Sequence, residues 1–195
     1  EMFKYKIGIE FEYIFTDEND NIFDFTNLDS QKIINLVEKS RLQHKDSNLS
    51  SGDLGIKKGY WYLEGDERFN DQGEFTDLKI KGIEIRTPIC ESINEVVDTL
   101  VTLEKELSNY LKLAGLNLAI IGFNPKTKKY IFEPNLNNWE LNMRNKFKEY
   151  DHAEISNLTY GPDINISSSN WDEKTSIDIA EKLNYYSPYI VPFSF

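Results

Sequence analysis

In three short segments of the chain, polar residues alternate with apolar ones, and most of the polar residues are acidic. The polar positions are Glu10, Glu12, Glu84, Arg86, Asp163 and Asn165. Residues two apart in a strand project from the same face, so pairing of the three segments in one sheet would gather four carboxylates there. Like charges this close raise one another's pKa and oppose folding. One or more Mg²⁺ ions, which accept about six hard oxygen ligands, would neutralise them better than Arg86 alone.

The same pattern also has an interpretation without function. A half-exposed antiparallel sheet alternates polar and apolar residues because one of its sides faces water. Two features favour a site. Gly8 and Gly82 each precede an acidic position, where a residue without a side chain allows close approach of backbone or ligand, and an ordinary solvated face would carry Lys and Thr among the acids. Periodicity alone leaves both interpretations open.

The elements that must position these residues are a mixture of strands and helices. Strands are predicted at 7–15, 60–64, 78–88, 116–123, 163–167 and 189–195, and helices at 30–40, 92–115, 138–153 and 171–186. We expect a long connection between the strands at 60–64 and 78–88, a surface loop at 41–59, and burial of the apolar run at 116–123 on both faces. The order predicts an α+β fold. Its sheet is antiparallel or mixed, with one acidic face lining a cavity and helices packed on the other.

Length, charge and composition limit the classes of protein. The chain has 195 residues and a net charge of −11, which predicts a single domain over 1–195 that repels nucleic acid and anionic membranes. The absence of a long apolar stretch and of a signal-peptide pattern makes a cytoplasmic location the expectation. No glycine-rich phosphate loop follows a strand. Cys90 is the single cysteine, and we expect an ordinary thiol that is buried or half-buried. A homo-oligomer is compatible with all of this.

Four segments together resemble the glutamate-cysteine ligase family, in the broad sense that includes the bacterial carboxylate-amine ligases and shares the glutamine synthetase-like fold. The segments are Gly8-Ile9-Glu10-Phe11-Glu12, Gly82-Ile83-Glu84-Ile85-Arg86-Thr87-Pro88, Gly161-Pro162-Asp163-Ile164-Asn165-Ile166-Ser167 and Tyr186-Ser187-Pro188-Tyr189. Each segment alone is a weak signal. Their order and approximate separations agree with the family across nearly the whole chain.

The resemblance implies a ligase that depends on ATP and Mg²⁺. In that reaction a substrate carboxylate takes the γ-phosphoryl group of ATP and becomes an acyl phosphate, which an amine attacks to form an amide, as in glutathione biosynthesis. The implied catalytic residues are Glu10 and Glu84, and the implied metal ligands are Glu10, Glu12, Asp77, Glu84 and Asp163. Arg86, Asn165 and Ser167 would bind the substrate or ATP. The implied partners are an amino-acid carboxylate, an amine and ATP.

The chain departs from the family at several points. Asp163 stands where the family has a histidine, Asp77 can equally cap the turn before its strand, and Arg86 can equally balance Glu84. Family members are longer, so we expect this chain to be the N-terminal part of a ligase-like catalytic domain, incomplete at its C-terminus. Two other classes stay open. One is a metal or small-molecule binding module derived from the same fold, and the other is an interaction domain with the aromatic residues 60–62 at a partner surface.

Overall fold

The computed structural model describes residues 5–41, 60–147 and 153–190. The strands are β1 (Lys6–Thr16), β2 (Ile22–Phe23), β3 (Trp61–Phe69), β4 (Phe75–Arg86), β5 (Asn117–Ala119) and β6 (Pro162–Ser167). The helices are α1 (Ser30–Arg41), α2 (Ile93–Lys112), α3 (Asn138–Lys146), α4 (Ala153–Ser156) and α5 (Glu173–Ile190). The predicted α+β class is confirmed. The loop predicted at 41–59 lies outside the described residues, apart from Arg41.

The six described strands form one antiparallel sheet in which β1 is the central strand. β1 pairs with β4 on one side and with β6 on the other along its N-terminal half, while its C-terminal end pairs with β2 and β5. The hairpin of β3 and β4 completes the order β2-β1-β4-β3. β1 has 11 residues, which is long enough for different strands to pair along its two ends.

Two helices cover the apolar face of this sheet. Ile83 and Ile85 of β4 and Tyr13 of β1 belong to a buried cluster with side chains from α1 and α2. The start of α2 is fixed by Ser92, whose hydroxyl oxygen accepts a hydrogen bond of 3.2 Å from the Glu95 N–H, as its sequence predicts. The acidic face is therefore opposite the face that α1 and α2 cover. None of the helices in the described ranges has the length and apolar content that a bilayer span requires.

The connection predicted between the second and third strands is wrong in length. β3 and β4 are joined directly by a tight turn at residues 70–74. In this turn the side-chain oxygen of Asn70 accepts hydrogen bonds from the backbone N–H groups of Gln72 and Glu74. The two strands therefore form one long hairpin. Its aromatic start is buried, because Trp61 is 0% and Tyr62 is 3% exposed. This burial contradicts the alternative of an aromatic partner surface at 60–62.

Three further predictions are wrong in their extent. Only residues 117–119 of the predicted buried strand at 116–123 pair with β1, and Ile120 and Phe123 are exposed. The helix predicted at 138–153 is shorter in its first part, because α3 ends at Lys146, and residues 148–152 lie outside the described residues. The last predicted helix does not stop before Pro188, since α5 runs through it to Ile190. That helix occupies the start of the strand predicted at 189–195, and the rest of that strand lies outside the described residues.

Cys90 matches its prediction. The thiol is 1% exposed and packs with Ile7 and Val96, and its burial raises its pKa. A thiol of raised pKa carries little thiolate at neutral pH, so it is a poor nucleophile.

We expect Gly82→Ala to destabilise the protein strongly, by at least about 2 kcal/mol, as other overpacked or strained core positions do. A Cβ at this position would lie 2.1 Å from the Tyr13 carbonyl oxygen, so β1 and β4 would have to separate. Gly8→Ala is the matched control, because its Cβ would meet only the Thr87 hydroxyl oxygen at 3.9 Å. Urea denaturation measures both. Equal effects of the two substitutions would contradict this account.

Candidate metal centre

Three glutamates from three neighbouring strands meet on the polar face of the sheet. Glu12 of β1 lies directly opposite Glu84 of β4, and Glu64 of β3 lies opposite Gly82. In an antiparallel pair, opposite residues share a face, so the register brings these side chains together. One carboxylate oxygen from each lies within 4.8 Å of the others. Glu84 is buried, at 4% exposure, and the other two are half-buried. We call this group the glutamate cluster.

Two basic side chains contact the cluster. The Lys81 ammonium lies 2.9 Å from Glu12 Oε1, and the Arg86 Nε donates a 2.8 Å hydrogen bond to Glu84 Oε2. Arg86 also approaches Glu10, with 3.4 Å between Nη2 and Oε2. Among the described residues, four carboxylates, including that of Glu10, and the two basic side chains of Lys81 and Arg86 therefore lie together on this face.

Arg86 is held from several directions. Its guanidinium lies 4.1 Å from the centre of the Tyr62 ring, a cation–π geometry, and its Nη2 donates to the Tyr62 hydroxyl oxygen. The same guanidinium donates a hydrogen bond to Glu84 and forms an ion pair with Glu10. The arrangement fixes the orientation of the guanidinium plane, which is the property that makes arginine a bidentate anion binder.

Lys81 connects the cluster to the segment before β6. Its ammonium donates to the carbonyl oxygens of Ser156 at 2.9 Å and Thr159 at 2.8 Å, in addition to its contact with Glu12. All three donors of the ammonium are thereby used. The second oxygen of Glu12 accepts a hydrogen bond of 3.2 Å from the Gly161 N–H. Both oxygens of this carboxylate are therefore oriented before any ligand binds.

We expect Lys81→Met to lower the free energy of unfolding by about 2 to 4 kcal/mol, because Glu12 and two carbonyl oxygens lose a charged donor in a buried place. Lys79→Met is the control. Lys79 is part-exposed and pairs with Asp77 at 2.8 Å, and such surface pairs contribute about 1 kcal/mol or less. Chemical denaturation compares the two. A Lys81→Met protein as stable as Lys79→Met would contradict the anchoring role.

The structure brings some of the other predicted site residues near the cluster. Glu10 lies opposite both Arg86 on β4 and Asp163 on β6, so all three share the polar face. Asp163, Asn165 and Ser167 of β6 are exposed. A cleft of about 380 Å³ beside Glu10 is lined by Gly8, Thr87, Asn165 and Ser167, among others. Glu10 and the β6 residues therefore form the open rim of the centre, while the glutamate cluster forms its buried part.

Asp77 is not brought to the cluster. It lies seven residues before Glu84 on β4, which is about 23 Å at about 3.3 Å per residue. It pairs with Lys79 at 2.8 Å and sits opposite Arg68. The hydrogen bond from Lys79 is the main cause that lowers the pKa of Asp77. Of the two interpretations left open by the sequence, the geometry favours a local structural role over metal binding.

Sequence reasoning missed Glu64 and Lys81. Glu64 ends the alternating segment Tyr60–Glu64 and shares the phase of Tyr62, so its position on the polar face could have been read from periodicity. Lys81 had no such signal. Its place depends on an irregularity in the hairpin, where Glu64 pairs with Gly82 but Gly65 pairs with Ile80.

A second polar cluster lies further along β3, on the same face. Arg68 and Glu140 form a bidentate pair with distances of 2.8 and 3.0 Å, and Asp66 accepts hydrogen bonds from Tyr130 at 2.9 Å and Arg144 at 3.3 Å. Burial raises the pKa of Asp66 despite these partners. The pKa of Glu140 is lowered to about 2, since its hydrogen bonds with Arg68 and two backbone N–H groups outweigh its burial. This cluster fastens α3 and the preceding loop to the hairpin.

Comparison of the chain with known proteins gives no family assignment: no family model matches it, and no match was found among curated proteins.

Proposed function

We propose that this chain forms the magnesium-binding, carboxylate-rich part of an ATP-dependent carboxylate-amine ligase that resembles glutamate-cysteine ligase and has a glutamine synthetase-like catalytic fold. The single observation that carries the proposal is the convergence of Glu12, Glu64 and Glu84 from three strands to within 4.8 Å. Two of the three are residues for which the resemblance implies metal binding, and all three lie on the sheet face opposite the one that α1 and α2 cover.

The donor set fits magnesium. Carboxylate oxygens are the hard ligands this ion prefers, and at about 2.1 Å from an octahedral metal, ligand oxygens are about 3 to 4 Å apart. The separations in the glutamate cluster need only small side-chain movements to reach that range. When bound, Mg²⁺ would hold and neutralise phosphate oxygens of ATP.

The roles of the chain's own residues follow from their contacts. Glu12, Glu64 and Glu84 would hold the metal, and Lys81 keeps Glu12 oriented. Arg86, whose guanidinium plane is fixed by Tyr62 and Glu84, would bind the reacting carboxylate or a phosphate at the rim. Glu10, Asn165 and Ser167 line the cleft in which the acid substrate would lie. Phosphoryl transfer requires mainly positioning and charge neutralisation, so the centre does not need a protein nucleophile.

The chemical balance is that of an amide ligase. The substrate carboxylate oxygen attacks the γ-phosphorus of ATP, the bond from phosphorus to the bridging oxygen breaks, and ADP leaves. The amine nitrogen then attacks the acyl carbon, loses a proton to solvent, and inorganic phosphate departs. One ATP is consumed for each amide formed.

A hydroxylamine trap tests this proposal. The purified protein is incubated with ATP, Mg²⁺ and each of a panel of amino acids, with hydroxylamine as the amine, and both phosphate and hydroxamate are measured. We expect equal amounts of the two products with one or a few acids, and neither product without Mg²⁺. Release of phosphate that does not depend on an acid would contradict acyl-phosphate chemistry.

A non-catalytic metal-binding module derived from the same fold is the second candidate. The observation that favours it is that Lys81 and Arg86 both form ion pairs with carboxylates of the cluster. Basic groups that are paired in this way are not available to bind the phosphates of ATP. Stabilisation by Mg²⁺ in thermal unfolding, which grows with the ligand concentration relative to its Kd, without any hydroxamate, would support the module. Absence of both effects would contradict both candidates and leave an ion-paired sheet face.

A further inference from the structure

We propose that β6 and α5 form the interface of a homodimer, in which the two β6 strands pair across a twofold axis and the α5 helices cover apolar surface of the other copy. The observation behind it is independent of the proposed ligase function. Large apolar side chains of these two elements are between 41% and 67% exposed, namely Ile164, Ile166, Leu183, Tyr185, Tyr186 and Tyr189.

The exposure of α5 is unusual for its length. The helix has 18 residues, yet of the positions whose burial is described only Ile179 is half-buried and the others are exposed. Isolated helices of this size are marginal in water, because most helix stability in proteins comes from packing of an apolar face. A helix with three exposed tyrosines near its end therefore requires a surface to pack against.

β6 offers such a surface at an open sheet edge. The Glu12 N–H donates to the Gly161 carbonyl oxygen at 3.2 Å, and the next β6 residue, Pro162, has no N–H to donate. Hydrogen-bonded pairs alternate in an antiparallel ladder, so Asp163 and Asn165 turn their backbone groups toward β1. The N–H and C=O groups of Ile164 and Ile166 therefore point to the other edge, where the described part of the chain supplies no strand.

One register of self-pairing uses all of these groups. If two β6 strands meet antiparallel with Asn165 opposite its own copy, Ile164 of each strand faces Ile166 of the other. Both isoleucine pairs are then hydrogen-bonded pairs, which gives four backbone hydrogen bonds. Asp163 faces Ser167 of the other copy, so no acid lies opposite an acid. A register centred on Ile164 would instead place each Ile166 opposite Pro162, which has no N–H to donate. One centred on Ile166 would place each Ile164 opposite residue 168, beyond the end of β6.

The area available is that of a stable interface. With about 200 Å² for each large side chain, the six exposed residues present roughly 700 Å² per copy. Stable protein interfaces bury about 800 Å² on each partner. The backbone of the β6 edge adds the remainder. Because each copy carries a charge of −11, we expect the dimer to be tighter at higher salt, where long-range repulsion is screened.

Cysteine crosslinking tests the register directly. Asn165→Cys would place two thiols in a non-hydrogen-bonded pair with Cα atoms about 4.5 Å apart, within the range of about 4.4 to 6.8 Å for disulfides. Asp163→Cys is the matched control. In this register the Cα atoms of residue 163 in the two copies would be offset by four residues along the strands, which is about 13 Å. Cys90 is buried and does not interfere. We expect Asn165→Cys to form covalent dimers at least ten times faster on mild oxidation. Equal rates would overturn the register.

Sedimentation equilibrium tests the association itself. We expect the 195-residue chain to be a dimer at micromolar concentration, and the double variant Tyr185→Ser, Tyr189→Ser to weaken the dimer at least tenfold. The control is Val97→Ser, Val101→Ser on the exposed face of α2, which should leave the dimer unchanged, with circular dichroism verifying the fold of both. A chain that is still a monomer at 100 μM would overturn the proposal. That result is expected if other residues of the same chain cover α5. An unaltered dimer in the tyrosine variant would overturn the part played by α5.

Discussion

Glu140→Gln is expected to lower the free energy of unfolding by about 3 to 5 kcal/mol, the usual cost of removing one partner from a buried ion pair. The side chains of Arg68 and Glu140 are each 5% exposed, and their closest atoms are 2.8 Å apart. Glutamine keeps the volume and one acceptor for the N–H groups that Glu140 caps, so the loss falls mainly on the charge. Arg68 is then left buried with a weaker partner, since its remaining described ion pair, with Asp66, is 3.7 Å long.

Urea denaturation measures this loss against a matched control. Glu133→Gln removes an exposed carboxylate from the same segment and should change stability by less than about 0.5 kcal/mol. The double variant Arg68→Met, Glu140→Met removes both charges at once and should recover much of the loss, because apolar pairs often replace buried ion pairs without cost. If Glu140→Gln is no less stable than Glu133→Gln, the pair does not hold α3 to the hairpin.

The same pair predicts how stability depends on pH. The folded-state pKa of Glu140 is about 2, below its ordinary value of 4.5, so its contribution is complete above about pH 4.5 and is lost as the pH falls toward 2. The raised pKa of Asp66 acts in the opposite sense, since the folded state takes up that proton more readily. We therefore expect the stability of the native chain to fall between pH 4.5 and 2. In Glu140→Gln the fall should be shallower.

The strands that carry the candidate site could be predicted because their chemistry has a period of two. Glu10, Glu12 and Glu84 share a face with their partners for the same reason that Tyr13 and Ile83 share the opposite one. Pairing of the three segments in one sheet was the assumption, and the register of β1 with β4 and β6 agrees with it.

Irregularities of pairing could not be predicted from periodicity. Strict alternation from Ile83 and Ile85 would turn Lys81 into the core and Ile80 to the polar face. The register shift between Glu64 and Gly65 reverses this order, so that Ile80 is buried in the core and Lys81 reaches Glu12. A bulge depends on the partner strand, and the sequence of β4 alone does not reveal it.

Long-range partners explain the remaining failures. The apolar run at 116–123 is a strand only at 117–119, where residues 14–16 at the end of β1 supply a partner. Glu140 is buried because Arg68, 72 residues away in the chain, meets it. Local sequence indicates neither event, since both follow from where the chain returns to the sheet.

Glu64→Gln is expected to weaken the binding of Mg²⁺, or of Mn²⁺ as a spectroscopic substitute, by at least about 100-fold, because even outer-shell partners of metal ligands contribute about 10- to 100-fold. Glu64 is the most informative of the three because the family resemblance does not include it. We infer that it binds the metal from one observation, namely that its carboxylate lies within 4.8 Å of those of Glu12 and Glu84. Isothermal titration calorimetry on the metal-free protein gives the affinity of each variant.

Asp77→Asn is the matched control for this measurement, since it removes a carboxylate from the same sheet face that pairs with Lys79 instead of joining the cluster. It should bind the metal as the native chain does. The metal-free Glu64→Gln protein should keep the native fold, which circular dichroism verifies, because glutamine keeps the volume of this half-buried side chain. Loss of metal binding together with retained stability would separate a ligand from a structural glutamate. Undiminished binding in Glu64→Gln, or lost binding in Asp77→Asn, would place the metal elsewhere.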